Sequence, residues 1–231
     1  MARRLRPEGS RSRRTARAGA AVDEARRGPG RPVGATGDLT RQRVVGAALQ
    51  TFAEQGFAGT SVRDIARKAR IRVSSLYHYF PSKEALYEEV HRKMQEEMRE
   101  LILSVMSKGL ELKAMAREAT GRFFDFLLAN PAYVRLGFRS RLEGGVLFDR
   151  RTTDRWLGFM EGLMKPAEMQ GLMKAVDPVL FLVTVDALVH WHAGNDAFYR
   201  RVLGKGLEDP EVARRAREHV IEVVTRIVGL D

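Results

Sequence analysis

The densest cluster of chemistry-bearing side chains in this 231-residue chain is His190-Trp191-His192, with Asp186 and Asp196 close by. On a helix, Asp186 and His190 are four residues apart on one face and could share a metal ion or a hydrogen bond. His192 lies about 160° around the axis from His190, so the two rings make a poor chelate. A structural Asp–His hydrogen bond, or a pair that orients a bound molecule, is the better reading, and no metal is expected. The chain has no Cys, which excludes a disulfide scaffold, a thiol nucleophile and a Cys-ligated zinc or iron–sulfur site. G-x-S-x-G, Walker A and H-E-x-x-H signatures are absent as well. Neither an enzyme nor a cofactor is expected.

A second group is apolar. Residues 96–231 hold eight of the eleven Phe and both Trp. Most of these side chains should be core. Some should line a pocket for a small hydrophobic or amphipathic ligand, the candidates being Phe123, Phe126, Phe138, Trp156, Phe159, Met160, Phe181 and His190. Aromatic walls with a few polar groups are the usual make-up of such a pocket, and Met adapts to varied shapes.

The elements that position these residues read as helices almost throughout, giving an all-α fold. Val45, Ala48, Leu49 and Phe52 recur at three- and four-residue spacings, predicting a helix over Leu39–Gln55 with Asp38 as N-cap and Gly56 as the stop. Ser61 and Asp64 have capping-box spacing and open a short second helix that ends near Ala69. A third begins at Arg72 or Val73 and stops at Phe80, ahead of Pro81. Ser82 caps a long fourth helix whose stripe runs from Leu86 to Val105. Further helices are predicted over Leu110–Ala129, Pro131–Leu142, Phe148–Met164, Pro166–Val176, Pro178–Leu203 and Pro210–Val228.

Charge divides the chain. The formal net charge is +11. Residues 1–37 carry +7, residues 38–95 carry +4, and residues 96–231 are neutral with twenty charges of each sign. A nucleic-acid reader joined to a neutral module has this asymmetry. Residues 1–37 read as a disordered Arg-rich arm, 38–95 as a DNA-binding domain and 96–231 as a ligand-binding and dimerisation domain. Within the arm, Arg26-Arg27-Gly28-Pro29-Gly30-Arg31-Pro32 resembles a degenerate AT-hook, which lays Arg along a narrow minor groove. No signal peptide is expected. The longest apolar run, Val179 to Trp191, contains Asp186 and falls short of the roughly 20 residues a membrane span needs. A cytoplasmic protein with no membrane partner is expected.

Residues 61–80, SVRDIARKARIRVSSLYHYF, place two short helices around a tight turn. Ile65, Ala66, Ile71 and Leu76 form the packing set. That is a helix-turn-helix, whose second helix enters the major groove of double-stranded DNA. Residues 39–86 resemble the DNA-binding domain of the TetR family of bacterial transcriptional regulators. The residues that carry the resemblance are Phe52, Gly56-Phe57, Thr60 to Ala66, Leu76 to Phe80 and Ser82 to Leu86. The resemblance implies that Arg63 reads a base. Val73, Ser74 and Ser75 then lie at the start of the recognition helix, with Arg72 as an extra cation. Ser61, Tyr77, Tyr79 and Lys83 match phosphate-holding positions, and His78 suits either role. It also implies a dimer through the last two helices, a palindromic operator and release by a small ligand, most members being repressors. Arg70 departs from the pattern, because the family usually has Gly there; in a turn with positive φ a side chain costs about 1–2 kcal/mol. The alternative reading is a nonspecific architectural protein that holds DNA phosphates with its arm and helix-turn-helix.

Overall fold

The computed structural model describes residues 33–143, 150–169 and 177–227, which contain ten helices and no strand. The AT-hook-like segment lies outside the described residues, as do residues 144–149, 170–176 and 228–231. The expectations for Phe148, for the end of the Pro166–Val176 helix and for Val228 fall there too. The chain divides into two units, Met1–Arg41 and Gln42–Asp231.

The first helix, α1 (Val33–Gly59), begins six residues before the expected start. Asp38 is therefore an interior residue and not the N-cap. No Pro follows Pro32 before Pro81, and Gly34 and Gly37 weaken this first stretch without ending the helix. Gly56 does interrupt it as expected: at φ 74° and ψ 172° it leaves helical geometry, a conformation that glycine adopts without Cβ strain.

The helix-turn-helix comprises α2 (Val62–Lys68) and α3 (Val73–Tyr79). The Ser61 hydroxyl accepts from the Asp64 amide at 3.2 Å, and the Asp64 carboxylate accepts from the Ser61 hydroxyl and backbone in return. The capping box predicted from spacing is thus formed. The Ser61 hydrogen bond, with Arg67 in support, holds the Asp64 carboxyl below its usual range. Phe52, Ile65, Leu76, Leu86 and Tyr87 are fully buried at the centre of this unit.

Helix α2 ends in a Schellman motif. The Ile71 amide donates to the Ala66 carbonyl at 3.0 Å and the Arg70 amide to Arg67 at 3.1 Å. Arg70 sits at the left-handed position with φ 55°, the one described non-glycine residue with positive φ. Relief of about 1–2 kcal/mol of strain is partly offset by the extra chain entropy of Gly. Arg70→Gly is therefore expected to raise stability by roughly 0.5–1 kcal/mol, read as a thermal midpoint a few degrees higher. An unchanged or lower midpoint would show that the turn holds no strain.

Helix α4 (Lys83–Met106) is capped by Ser82, whose hydroxyl accepts from Ala85 at 3.0 Å. After it come α5 (Leu112–Ala129), α6 (Pro131–Leu142), α7 (Arg150–Met169), α8 (Pro178–Gly194), α9 (Asp196–Leu203) and α10 (Pro210–Ile227). Two boundaries differ from expectation. Helix α7 continues through Pro166, where a break was predicted. The single helix expected over Pro178–Leu203 is two, because Asn195 turns out of helical geometry at φ −106°, ψ 39°.

A second core joins Phe124 and Leu127 of α5, Tyr133 and Val134 of α6, Val189 of α8 and Val212, Ala216 and Val220 of α10. Helix α6 serves both cores, since its Ala132 and Leu136 belong to the helix-turn-helix core. The two apolar helices expected at a partner interface behave differently. On α10, Val220 and Val224 are buried within the protomer. The outer face of α10 instead carries Arg214–Glu218 and Arg226–Glu222 ion pairs. On α8, Leu180, Thr184, Ala187 and Trp191 form an exposed stripe, continued on α9 by Phe198 and Val202.

Candidate nucleic-acid interface and ligand cavity

Helix α3 has two faces. Val73, Leu76 and Phe80 turn inward, Leu76 completely buried, and Tyr79 packs beside them. Ser74, Ser75, Tyr77 and His78 are exposed, with Tyr77 at 49%. The His78 and Tyr79 rings meet edge to face at 5.5 Å. Arg63 on α2 and Arg72 at the α3 N-cap are exposed, and their guanidinium groups make no ion pair or hydrogen bond among the described residues; the Arg70 guanidinium shares that condition. Their neighbours Arg67 and Lys68 are engaged by Asp64 at 2.5 Å and Glu54 at 3.1 Å. Three unspent guanidinium groups thus flank the outer face of a rigidly packed helix. Unspent Arg on such a face is suited to phosphates and guanine edges.

Lys83 is placed differently from its neighbours. Its Nζ donates to the carbonyls of Phe57 at 2.9 Å and Thr60 at 3.1 Å, and lies 4.2 Å from the Phe57 ring centroid. Two of its three protons already hold the α1–α2 connection closed, so a phosphate would meet only the third. Ser61 is similarly engaged in its capping box. The Ser61 engagement was predicted from spacing, whereas that of Lys83 was not, because residues 57 and 60 reach it only through the fold.

The second site is a cavity of about 630 Å³ bounded by α4, α5, α6, α7, α8 and α10. Phe123, Phe126, Trp156, Met160, Phe181 and His190 line it, six of the eight residues expected there. Phe138, one position around α6 from the lining Gly137, is not among the lining residues and meets the His190 ring edge to face at 6.5 Å. Phe159 lies under Arg99 in a smaller cleft of about 390 Å³ shared with Arg92 and Arg155. Met94 and Met98 fall on the α4 stripe that runs from Leu86 to Val105, yet both line the cavity with Met115. Periodicity identifies a buried face but does not say whether its partner is protein or space.

Polar groups are few. His91 of α4 is buried at 2% exposure, and burial pushes its imidazole down to about 4. Asp186 of α8 pairs with the Arg141 guanidinium of α6, and the His190 Nδ1 lies 3.0 Å from the Asp186 Oδ1 and 3.0 Å from its backbone oxygen. Burial raises the Asp186 carboxyl, but His190 and Arg141 outweigh it and hold the group below the usual range. The Asp–His contact expected from spacing is therefore formed. Its third member, Arg141, is 45 residues distant in sequence and had no sequence signal. Among the described residues no cluster has the three His, Cys, Asp or Glu side chains that would hold a metal ion.

Helix α6 connects cavity and reader. Arg139 donates from Nε to the Ala53 carbonyl at 3.0 Å and from Nη2 to Glu54 at 2.7 Å, at the end of the regular part of α1. Two turns earlier, Tyr133 donates to Glu97 of α4 at 2.7 Å.

An all-helical chain with a capped helix-turn-helix and unspent arginines on its recognition face defines a DNA-binding transcriptional regulator. Residues 44–90 match the model of the bacterial regulatory proteins, tetR family. The chain belongs to the TetR family of transcriptional regulators. It is 27% identical over 134 residues to the HTH-type transcriptional repressor KstR2 of Rhodococcus jostii (strain RHA1), which covers 54% of this chain and 65% of the repressor. The chain thus spans slightly less than two thirds of that relative. The structure of SCO4942 from Streptomyces coelicolor superposes with TM-score 0.62 at 30% identity, over 81% of this chain and 97% of that one. The transcriptional regulator FadR from Bacillus subtilis, solved in complex with stearoyl-CoA, shares the fold at TM-score 0.63 and 16% identity, over 80% and 98%. No described helix is long and apolar enough to cross a membrane.

Proposed function

We propose that this regulator is a dimeric repressor, released from a palindromic operator when a small hydrophobic or amphipathic molecule fills the 630 Å³ cavity. The observation that carries this reading is the sharing of α6. One helix contributes Gly137 and Arg141 to the cavity, Ala132 and Leu136 to the helix-turn-helix core, and the Arg139 clamp to α1. A ligand that prefers a shifted α6 therefore also prefers a shifted reader, which is the differential affinity that coupling requires. Stearoyl-CoA in FadR is an amphipathic ligand on the same fold and supports the class, not the identity. Bound to DNA, the protein works in the cytoplasm.

In this reading Arg63 contacts a base, while Arg72, Ser74 and Ser75 enter the groove; Val73, expected there too, instead packs against the core. Ser61, Tyr77, Tyr79 and Lys83 lie against phosphates, and His78 serves either purpose. A two-fold dimer places two such helices about one turn of DNA apart. The second copy is assigned to the α8–α9 stripe, since the outer face of α10 is occupied by ion pairs.

Fluorescence anisotropy with DNA from the protein's own upstream region, against random duplex, tests the reading. Arg63→Ala should cost about 1–3 kcal/mol on the operator and little on random DNA, relaxing specificity at one base position. Lys83→Ala should weaken both DNAs alike and also lower the melting temperature, because two carbonyls lose their donor. No preference for the upstream DNA would favour the architectural alternative, in which deletion of residues 1–37 abolishes binding.

A further inference from the structure

The polar corner of the cavity has an unusual arrangement of spent and unspent groups. His190 Nδ1 faces two oxygen acceptors, the Asp186 carboxylate and the Asp186 backbone oxygen, so Nδ1 carries the ring proton. Asp186 already answers the charge of Arg141. With Nδ1 turned to those two oxygens, Nε2 is the ring nitrogen left to meet a bound molecule. The ring is buried, with 9% of the side chain exposed, and Nε2 has no hydrogen-bond partner among the described residues.

Gly137 supplies the second, independent observation. It sits in the middle of α6 with ordinary helical backbone, where Ala would stabilise the helix by about 1 kcal/mol. A Cβ on Gly137 would stand 3.2 Å from His190 Nε2 and 3.5 Å from Arg141 Nη1. The missing methyl thus leaves a small space on the cavity wall between a nitrogen lone pair and a guanidinium N–H.

We infer that this space is the subsite for a neutral hydroxyl group on the apolar ligand, donating to His190 Nε2 and accepting from Arg141 Nη1. A hydroxyl is donor and acceptor at one atom, which fits this pair of neighbours. A carboxylate has no proton for Nε2 and would lie beside Asp186, and a plain hydrocarbon would leave both groups unpaired. The inference rests on the ligand-binding reading above and adds the ligand's functional group to it.

The test uses three probes of equal chain length, 1-decanol, decanoate and decane, titrated into the full chain and followed by tryptophan quenching and thermal shift. Decanol should bind about tenfold or more tighter than either of the others, the worth of roughly one satisfied hydrogen bond. His190→Leu should erase that preference while decane binding persists. Gly137→Ala should keep its helical fold, read by circular dichroism, yet also lose the preference, because its methyl stands against Nε2. Tighter binding of decanoate, equal binding of all three, or an undiminished preference in Gly137→Ala would overturn the subsite and leave the cavity's ligand role standing. Binding of none of the probes would overturn that role itself.

Discussion

Ala187→Glu is expected to convert the proposed dimer to a monomer. Ala187 is exposed at the centre of the α8 stripe, between Leu180 at 64% and Trp191 at 56% exposure. The protomer's own packing therefore does not depend on it. A two-fold interface meets each substitution twice. Two unpaired carboxylates, each costing at least about 2 kcal/mol when desolvated, weaken association by roughly a thousandfold. A monomer reads a single half-site, so operator affinity should fall with it. Sedimentation equilibrium reads the assembly, and a circular-dichroism melt confirms that the protomer is intact. An unshifted dimer would mean that the partner does not cover α8. The prediction separates the helices that composition alone made equivalent, because Val220 and Val224 of α10 are already buried within the protomer.

Acidification is expected to destabilise the protein well above the range in which carboxylates titrate. His91 is buried against Tyr87, with ring centroids 4.5 Å apart, and burial lowers its imidazole from 6.5 to about 4. The unfolded chain therefore binds a proton near pH 6.5 that the folded chain refuses until about pH 4. Stability is full above the unfolded value and falls as pH drops through this window. The loss is about 2 kcal/mol at pH 5 and about 3 kcal/mol below pH 4, at 1.36 kcal/mol per unit. His192, lowered by burial and by His219, acts in the same direction. Asp186 is lowered too, but a carboxylate loses its contribution only at more acidic pH. Urea melts of wild type and His91→Leu between pH 7 and pH 4.5 isolate the His91 share. Parallel pH profiles for the two proteins would refute it.

The side-chain caps of α2 and α4 and the buried centre of the recognition helix were legible from spacing. Each depends on residues within one or two turns of one another, and local geometry is set by local sequence. Ser61 with Asp64, Ser82 with Ala85, and the inward set around Leu76 are of that kind. Even the strain at Arg70 was readable as a departure from a turn that wants Gly, and its φ of 55° bears this out.

The site beyond the reader was legible only in part. Aromatic and Met content announced an apolar interior, and six of the eight expected residues line the cavity. Phe138 and Phe159 do not, because neighbours on a helix point about 100° apart and only the packed helices decide which direction is open.

Sequence by itself determined what this chain is: an all-helical regulator with a basic reader and a neutral partner module. Those properties follow from period, caps, turn residues and the distribution of charge, all of which are local or additive. Tertiary structure alone decided which cations are spent. Lys83 is turned inward to Phe57 and Thr60, whereas the guanidinium groups of Arg63 and Arg72 have no partner among the described residues. It also joined Arg141 to Asp186 and His190, and made α6 common to cavity and reader. Hydrogen bonds and empty space are fixed by distances between residues far apart in the chain, and a linear pattern carries no record of those distances.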